Sequence, residues 1–108
     1  MKNILITGGV GFIGTNLAKE LVKQNNNVIS IDNYSFGSKE NEIDGVKYYN
    51  YDIEDIDKIT ESVDVCFHLC AMARVQPSFE DPMEYFRVNV QGTTKVMEWA
   101  KKNNVKVV

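Results

Sequence analysis

Ile4-Leu5-Ile6-Thr7-Gly8-Gly9-Val10-Gly11-Phe12-Ile13-Gly14 is the stretch that decides the fold of this 108-residue chain. The apolar run at residues 4–6, stopping at Thr7-Gly8-Gly9, predicts a buried strand that enters a tight loop. Ile13, Leu17 and Leu21 then recur every fourth position from Phe12 to Lys23, a helical spacing that the polar residues 24–27 end. Strand, loop and helix in that order supply the context that Gly9-Val10-Gly11-Phe12-Ile13-Gly14, a G-x-G-x-x-G motif, needs to count as a dinucleotide fingerprint. Glycines there let the backbone turn tightly and approach a pyrophosphate, whose charge is met by N–H groups at the start of the helix. Gly9 and Gly14 also have the spacing of an ATPase phosphate loop. Thr15-Asn16 stands where that loop needs Lys followed by Ser or Thr, which excludes it.

Outward from this centre, Val28-Ile29-Ser30-Ile31 reads as a second strand, with Asp32 at its end and close to the expected spacing of about 20 residues from the fingerprint. A carboxylate there accepts hydrogen bonds from a ribose diol and repels a 2′-phosphate, so the expected cofactor is NAD rather than NADP. Residues 33–45 have loop chemistry and residues 46–51 a third strand. Ile56, Ile59 and Val63 suit a short helix, and residues 65–69 a fourth strand. Pro77 and Pro82 bracket a loop that leads to a longer helix, after which Val105-Lys106-Val107-Val108 begins a fifth strand. In that helix Phe86, Val90, Thr93, Met97 and Ala100 form the stripe expected to pack on the sheet. Tyr85, Val88, Val96 and Trp99 are left on a neighbouring face.

Strands that alternate with helical segments predict an α/β fold: a doubly wound, Rossmann-type parallel sheet with helices on both faces. The expected strand order is 3-2-1-4-5, with the mouth of the site beyond the carboxyl ends of strands one and four. Residues 1–108 are read as one NAD-binding domain, truncated after the start of the fifth strand.

Composition narrows the function. The net charge of -3 supplies no basic field for nucleic acid. No apolar run approaches the roughly 20 residues of a membrane span, and no signal-peptide pattern opens the chain, so the expected location is cytoplasmic. Cys66-Phe67-His68-Leu69-Cys70 invites a metal reading, but in a strand the two cysteines stand roughly 13 Å apart at about 3.3 Å per residue. Zinc bonds of about 2.0–2.3 Å cannot join them, and no metal site is expected. His68, in a central strand, is read as a satisfied core histidine.

Thr7-Gly8-Gly9-Val10-Gly11-Phe12-Ile13-Gly14 resembles the T-G-G-x-G-F-I-G signature of the extended short-chain dehydrogenase/reductases, NAD-dependent epimerases and dehydratases of nucleotide-linked sugars. The resemblance covers the whole chain and implies that Gly8, Gly11, Phe12, Ile13 and Gly14 meet the pyrophosphate. Asp32-Asn33-Tyr34-Ser35-Phe36-Gly37 is similar to the family's D-N-x-S-x-G segment, which implies adenosine-ribose contacts from Asp32, Asn33, Ser35 and Gly37. Tyr51-Asp52-Ile53 resembles a pair whose carboxylate meets the adenine amino group while its aliphatic neighbour packs on the ring. Phe67-His68-Leu69-Cys70-Ala71 resembles a strand end that flanks the cofactor, implicating Leu69 and Ala71, with Cys70 in place of the usual alanine. Asn89-Val90-Gln91-Gly92-Thr93 resembles an N-V-x-G-T segment whose Asn steadies a turn near the cofactor, and Ala73-Arg74-Val75-Gln76-Pro77-Ser78 looks most like UDP-sugar 4-epimerases. Plainer readings stand beside these: Asp52 as a helix cap, Asn89 as an ordinary polar residue, and Arg74 as a solvated charge rather than a phosphate contact.

The resemblance further implies transient oxidation of a nucleotide-linked sugar, a UDP-sugar foremost, by Tyr-x-x-x-Lys chemistry, and a homodimer through the helix after Pro82, by the face bearing Tyr85, Val88, Val96 and Trp99; the alternative is that Trp99 is covered by later parts of the chain. The five tyrosines, Tyr34, Tyr48, Tyr49, Tyr51 and Tyr85, face Ser38, Asp52, Ile53, Asp55 and Asn89 four positions on, never Lys. No catalytic residue is therefore expected in this chain, and the leading reading is the nucleotide-binding part of a larger enzyme. A free-standing NAD-binding or sensing module is the alternative.

Overall fold

The computed structural model describes residues 1–35, 37–70, 83 and 87–108. Asn3–Thr7 (β1) lies at the centre because it is apolar on both faces: Ile4 and Ile6 join one buried cluster and Leu5 the other. Asn27–Asp32 (β2) pairs with it in parallel, Ile4 opposite Val28 and Thr7 opposite Ile31, and Val46–Asn50 (β3) extends the sheet beyond β2. On the other side Val65–His68 (β4) pairs with β1, and Lys106–Val107 (β5) with β4. The order among the described residues is β3-β2-β1-β4-β5, all parallel, as the alternating pattern predicts. The order reverses direction between β1 and β4, and that switch point opens a crevice outside the carboxyl ends of the strands.

Phe12–Lys23 (α1) covers one face of the sheet, where Ala18 and Leu21 pack with Ile4, Ile6 and Val28. Thr93–Asn103 (α2) and a 3-10 helix at Ile53–Lys58 cover the other, joining Leu5, Ile29, Ile31 and Cys66. No described helix is long and apolar enough to cross a membrane.

Three expectations about helix faces change. The α1 face that meets the sheet is Gly14, Ala18 and Leu21, while Ile13 is 67% exposed. A strict four-residue repeat drifts by about 40° per step on a 3.6-residue helix, so Ile13 and Leu21 cannot share the centre of one face. The segment around Ile56 is a 3-10 helix rather than an α-helix, and it stops before Val63. Ile53, Ile56 and Ile59, three apart, line up at three residues per turn and all are buried.

The stripe order on α2 is the reverse of the expected one. Val96 and Trp99 sit in the core, Trp99 at 4% exposure, while Met97 is 53% exposed and Val90 also faces out. Among the described residues of the first stripe, Ala100 is the buried one. Trp99 is the largest apolar side chain of the helix and takes the core position. Ahead of it Arg87–Gly92 is π-helical, with longer i→i+5 turns that break the α-helical count used to assign the stripe. Tyr85 and Phe86 lie outside the described residues.

Candidate functional site

The loop after β1 is shaped by backbone rather than by side chains. Gly8 turns with φ of 84° and its N–H donates to the Ile31 carbonyl at 2.8 Å, fastening the loop to β2. Gly11 is the N-cap of α1 and has no side chain to satisfy the first-turn N–H groups, nor does an acidic residue occupy that turn. The N–H groups of Phe12, Ile13 and Gly14 have no partner within the helix and carry the positive end of its dipole. A Cβ on Gly14 would run into the Gly8 carbonyl and lie 2.9 Å from Gly9 Cα, so the helix start can nest against the loop only as glycine. The Phe12 and Ile13 side chains are exposed and leave the backbone to face an anion.

Asp32, at the end of β2, is 8% exposed and fixed at both oxygens. Oδ2 accepts from Val10 N–H in the glycine loop at 3.2 Å and Oδ1 from Tyr34 N–H at 2.7 Å. Tyr34 takes a left-handed φ of 64°, and its hydroxyl donates to Glu42 at 2.5 Å. Burial first, then Glu42, pushes that hydroxyl well above the usual tyrosine range. Asn33 Oδ1 accepts from Ser35 N–H at 3.0 Å, which forms a tight turn and presents Ser35 outward. Gly37 packs against Val10.

Beyond β3, Asp52 caps the 3-10 helix by accepting from Glu54 N–H at 3.2 Å, so its plainer reading is realised in the structure. Ile53 is 2% exposed and committed to the core. Leu69 follows β4, half-buried. Asn89 is half-buried in the π-helical stretch, and Ala71 and Arg74 lie outside the described residues.

A hydrogen-bonded cluster holds the β4 end of the site. Thr7 Oγ1 accepts from Leu69 N–H at 3.0 Å and from Cys70 N–H at 3.1 Å. Both lone pairs are thereby used, so its proton goes to His68 Nδ1 at 2.7 Å. His68 is then the neutral Nε2–H tautomer, and Nε2–H donates to Thr93 Oγ1 at 3.0 Å, at the start of α2. Burial lowers the His68 pKa in agreement. The imidazole is a satisfied tie between strand and helix, with neither nitrogen open to a substrate. Cys66 lies in the core, its thiol pushed up to about 12 by burial.

Four adjacent strand ends thus carry, in the order β3-β2-β1-β4, Asp52, the Asp32 carboxylate, the glycine loop with its row of N–H donors, and Leu69. The arrangement suits an extended ligand with a central anion and a diol to one side. Asn41 Nδ2 also donates to the Val10 carbonyl at 2.8 Å; these holding roles of Thr7, Thr93 and Asn41 are not marked by spacing, because their partners are distant in sequence.

The chain matches the sequence profile of the NAD dependent epimerase/dehydratase family over residues 4–108. It is 37% identical over 106 residues to a putative UDP-glucose 4-epimerase of Methanocaldococcus jannaschii, covering 94% of this chain and 35% of that protein. In fold it is similar to the UDP-glucose 4-epimerase of Thermotoga maritima crystallised with UDP-glucose, with a TM-score of 0.90 and 33% identity over 95% of this chain and 35% of that one. It is similar also to the Thermus thermophilus UDP-glucose 4-epimerase in complex with NAD, with a TM-score of 0.83 and 29% identity over 94% of this chain and 34% of that one. The chain spans about a third of the length of these relatives. These comparisons lend no support to the reading as a free-standing sensing module.

Proposed function

Because the chain belongs to the NAD-dependent epimerase/dehydratase family, we propose that residues 1–108 are the NAD-binding domain of an enzyme that acts on a nucleotide-linked sugar, with 4-epimerisation of a UDP-sugar as the leading reaction. When bound, NAD supplies the acceptor and returning donor of a hydride. The residues fit it: the first-turn N–H groups of Phe12, Ile13 and Gly14, with Gly8 and Gly11 shaping the loop, receive the pyrophosphate. Asp32, Asn33, Ser35 and Gly37 take the adenosine ribose, Asp52 and Ile53 the adenine. Leu69 would flank the cofactor at the end of β4 and Asn89 would steady a turn near it; the roles that the resemblance implies for Ala71 and for Arg74, a phosphate contact, fall outside the described residues. We also assign the outward face of α2, with Met97 and, in the π-helical stretch before it, Val90, to contact with a second copy of this chain, in place of the face bearing Trp99.

The observation that carries the reading is the Asp32 carboxylate, fixed at the end of β2 against the glycine loop by Val10 and Tyr34. A carboxylate held there accepts from ribose hydroxyls and repels a 2′-phosphate. Calorimetry is expected to show NAD bound in preference to NADP, with the preference lost in Asp32→Ala. Hydrogen bonds to a charged group are each worth about 1.5–3 kcal/mol, so roughly tenfold or more in NAD affinity goes with it. Equal binding of both cofactors by the wild type would overturn the reading.

A further inference from the structure

Val10 of the glycine loop is gripped from both sides, by the end of β2 and by the β2–β3 connection. Its side chain is fully buried and its N–H donates to Asp32 Oδ2 at 3.2 Å. Its carbonyl accepts from Asn41 Nδ2 at 2.8 Å, across 31 positions of sequence. Asn41 is brought there by a short 3-10 turn, Lys39–Asn41, whose N-cap Ser38 Oγ accepts from Glu40 N–H at 3.2 Å and whose Ser38 carbonyl accepts from Asn41 N–H at 2.9 Å. Gly37 lies so close that a Cβ on it would strike the Val10 carbonyl group and be 2.6 Å from Val10 Cγ2. The connection therefore rests directly on the Val10–Gly11 peptide.

That peptide is the one whose orientation matters most for an anion. A trans peptide points its C=O and N–H in opposite directions. On its other side the Gly11 N–H donates to the Gly8 carbonyl at 3.3 Å, so turning the peptide over, which the backbone freedom of Gly11 allows, would break both bonds and bring the Val10 oxygen toward the Gly8 oxygen, which lies against Gly14 in the first helical turn. An oxygen lone pair there would oppose the phosphate charge that the first-turn N–H groups attract. We infer that Asn41 is a positioning residue, a latch that holds the Val10 carbonyl away from the pyrophosphate and keeps the glycine loop in its anion-receiving form. It touches neither phosphate nor ribose and acts through Val10. The inference rests on the proposed dinucleotide site and names the residue that sets its affinity for the pyrophosphate.

Asn41→Leu keeps the approximate size and removes the donor; Asn41→Asp keeps the shape and sets an oxygen against the carbonyl. With the 108-residue chain, calorimetry is expected to show NAD affinity falling roughly three- to tenfold in both variants, the range of one lost hydrogen bond. Adenosine, which has the ribose but no phosphate, is expected to bind all three proteins equally. Parallel loss of adenosine and NAD would mark a general structural defect and overturn the latch, as would unchanged NAD binding in both variants. The Gly11 amide shift in NMR spectra without any nucleotide reports the same peptide independently. It is expected to move in both variants, and an unmoved Gly11 resonance also overturns the latch. If the wild type fails to bind NAD, the functional reading falls while the Gly11 shift still decides the role of Asn41.

Discussion

Thr7 uses its full hydrogen-bonding capacity inside the chain, two acceptances and one donation, and so selects the tautomer of His68. A protonated His68 would set an N–H against the Thr7 proton and undo the tie between β4 and α2. Burial keeps its folded pKa below the ordinary value of 6.5. Above pH 6.5 both folded and unfolded chains hold the ring neutral and the full stability is present. As the pH falls through 6.5 toward the lower folded value the unfolded chain takes up the proton first, and stability is lost. The melting temperature is therefore expected to drop between about pH 7 and pH 5, and to drop less in His68→Gln; equal slopes in thermal scans would show that His68 does not titrate this way. At this scale the glycines and Asp32 were legible in sequence because their roles are local, a tight turn and a charge at a known spacing. Thr7 and Asn41 were not, because their side chains bond partners 61 and 31 positions away and nothing in local spacing marks them.

Helices show a different division between what sequence reveals and what packing decides. The existence of α1, α2 and the short helix, and the extent of α1, could be read from apolar spacing, but which face turns inward could not wherever two apolar stripes compete. On α2 the choice goes to Trp99 and Val96, with a π-helical stretch ahead of them that no repeat count anticipates. Opposite outcomes follow for two neighbouring substitutions. Trp99→Ala is expected to cost about 3–5 kcal/mol in urea unfolding, since it empties a packed core site. Met97→Lys is expected to change stability by no more than about 0.5 kcal/mol. If the outward face pairs with a second copy, Met97→Lys shifts a dimeric wild type to monomer in sedimentation; an unchanged mass would remove this helix from the interface. Ion pairing of Lys95 with Asp57 at 2.6 Å joins α2 to the 3-10 helix at the surface, a contact too exposed to alter either forecast.

For the molecule as a whole, strand order was the most legible property, because parallel strands linked by helical segments leave few arrangements once right-handed crossovers are required. No Tyr-x-x-x-Lys occurs among the 108 residues, and both His68 nitrogens are engaged within the fold. A positioned base supplies roughly a hundred- to ten-thousandfold of rate, so the 108-residue chain is expected to bind NAD without turnover. Incubation with NAD and UDP-glucose, UDP-galactose or their N-acetylated forms should leave each sugar unchanged by chromatography; conversion that is lost in Asp32→Ala would mean that catalytic groups lie within these residues. The parallel sheet also gives the molecule two unlike ends. Met1 is 88% exposed at the edge where β1 begins, about 16 Å of strand from the glycine loop at roughly 3.3 Å per residue. Val108, by contrast, accepts from His68 N–H at 3.1 Å, on the same edge as the mouth. A tether or reporter dye for a surface-mounted nucleotide sensor therefore belongs at Met1, where the linker leaves from the far side, and one attached at Val108 would crowd the entrance it is meant to observe.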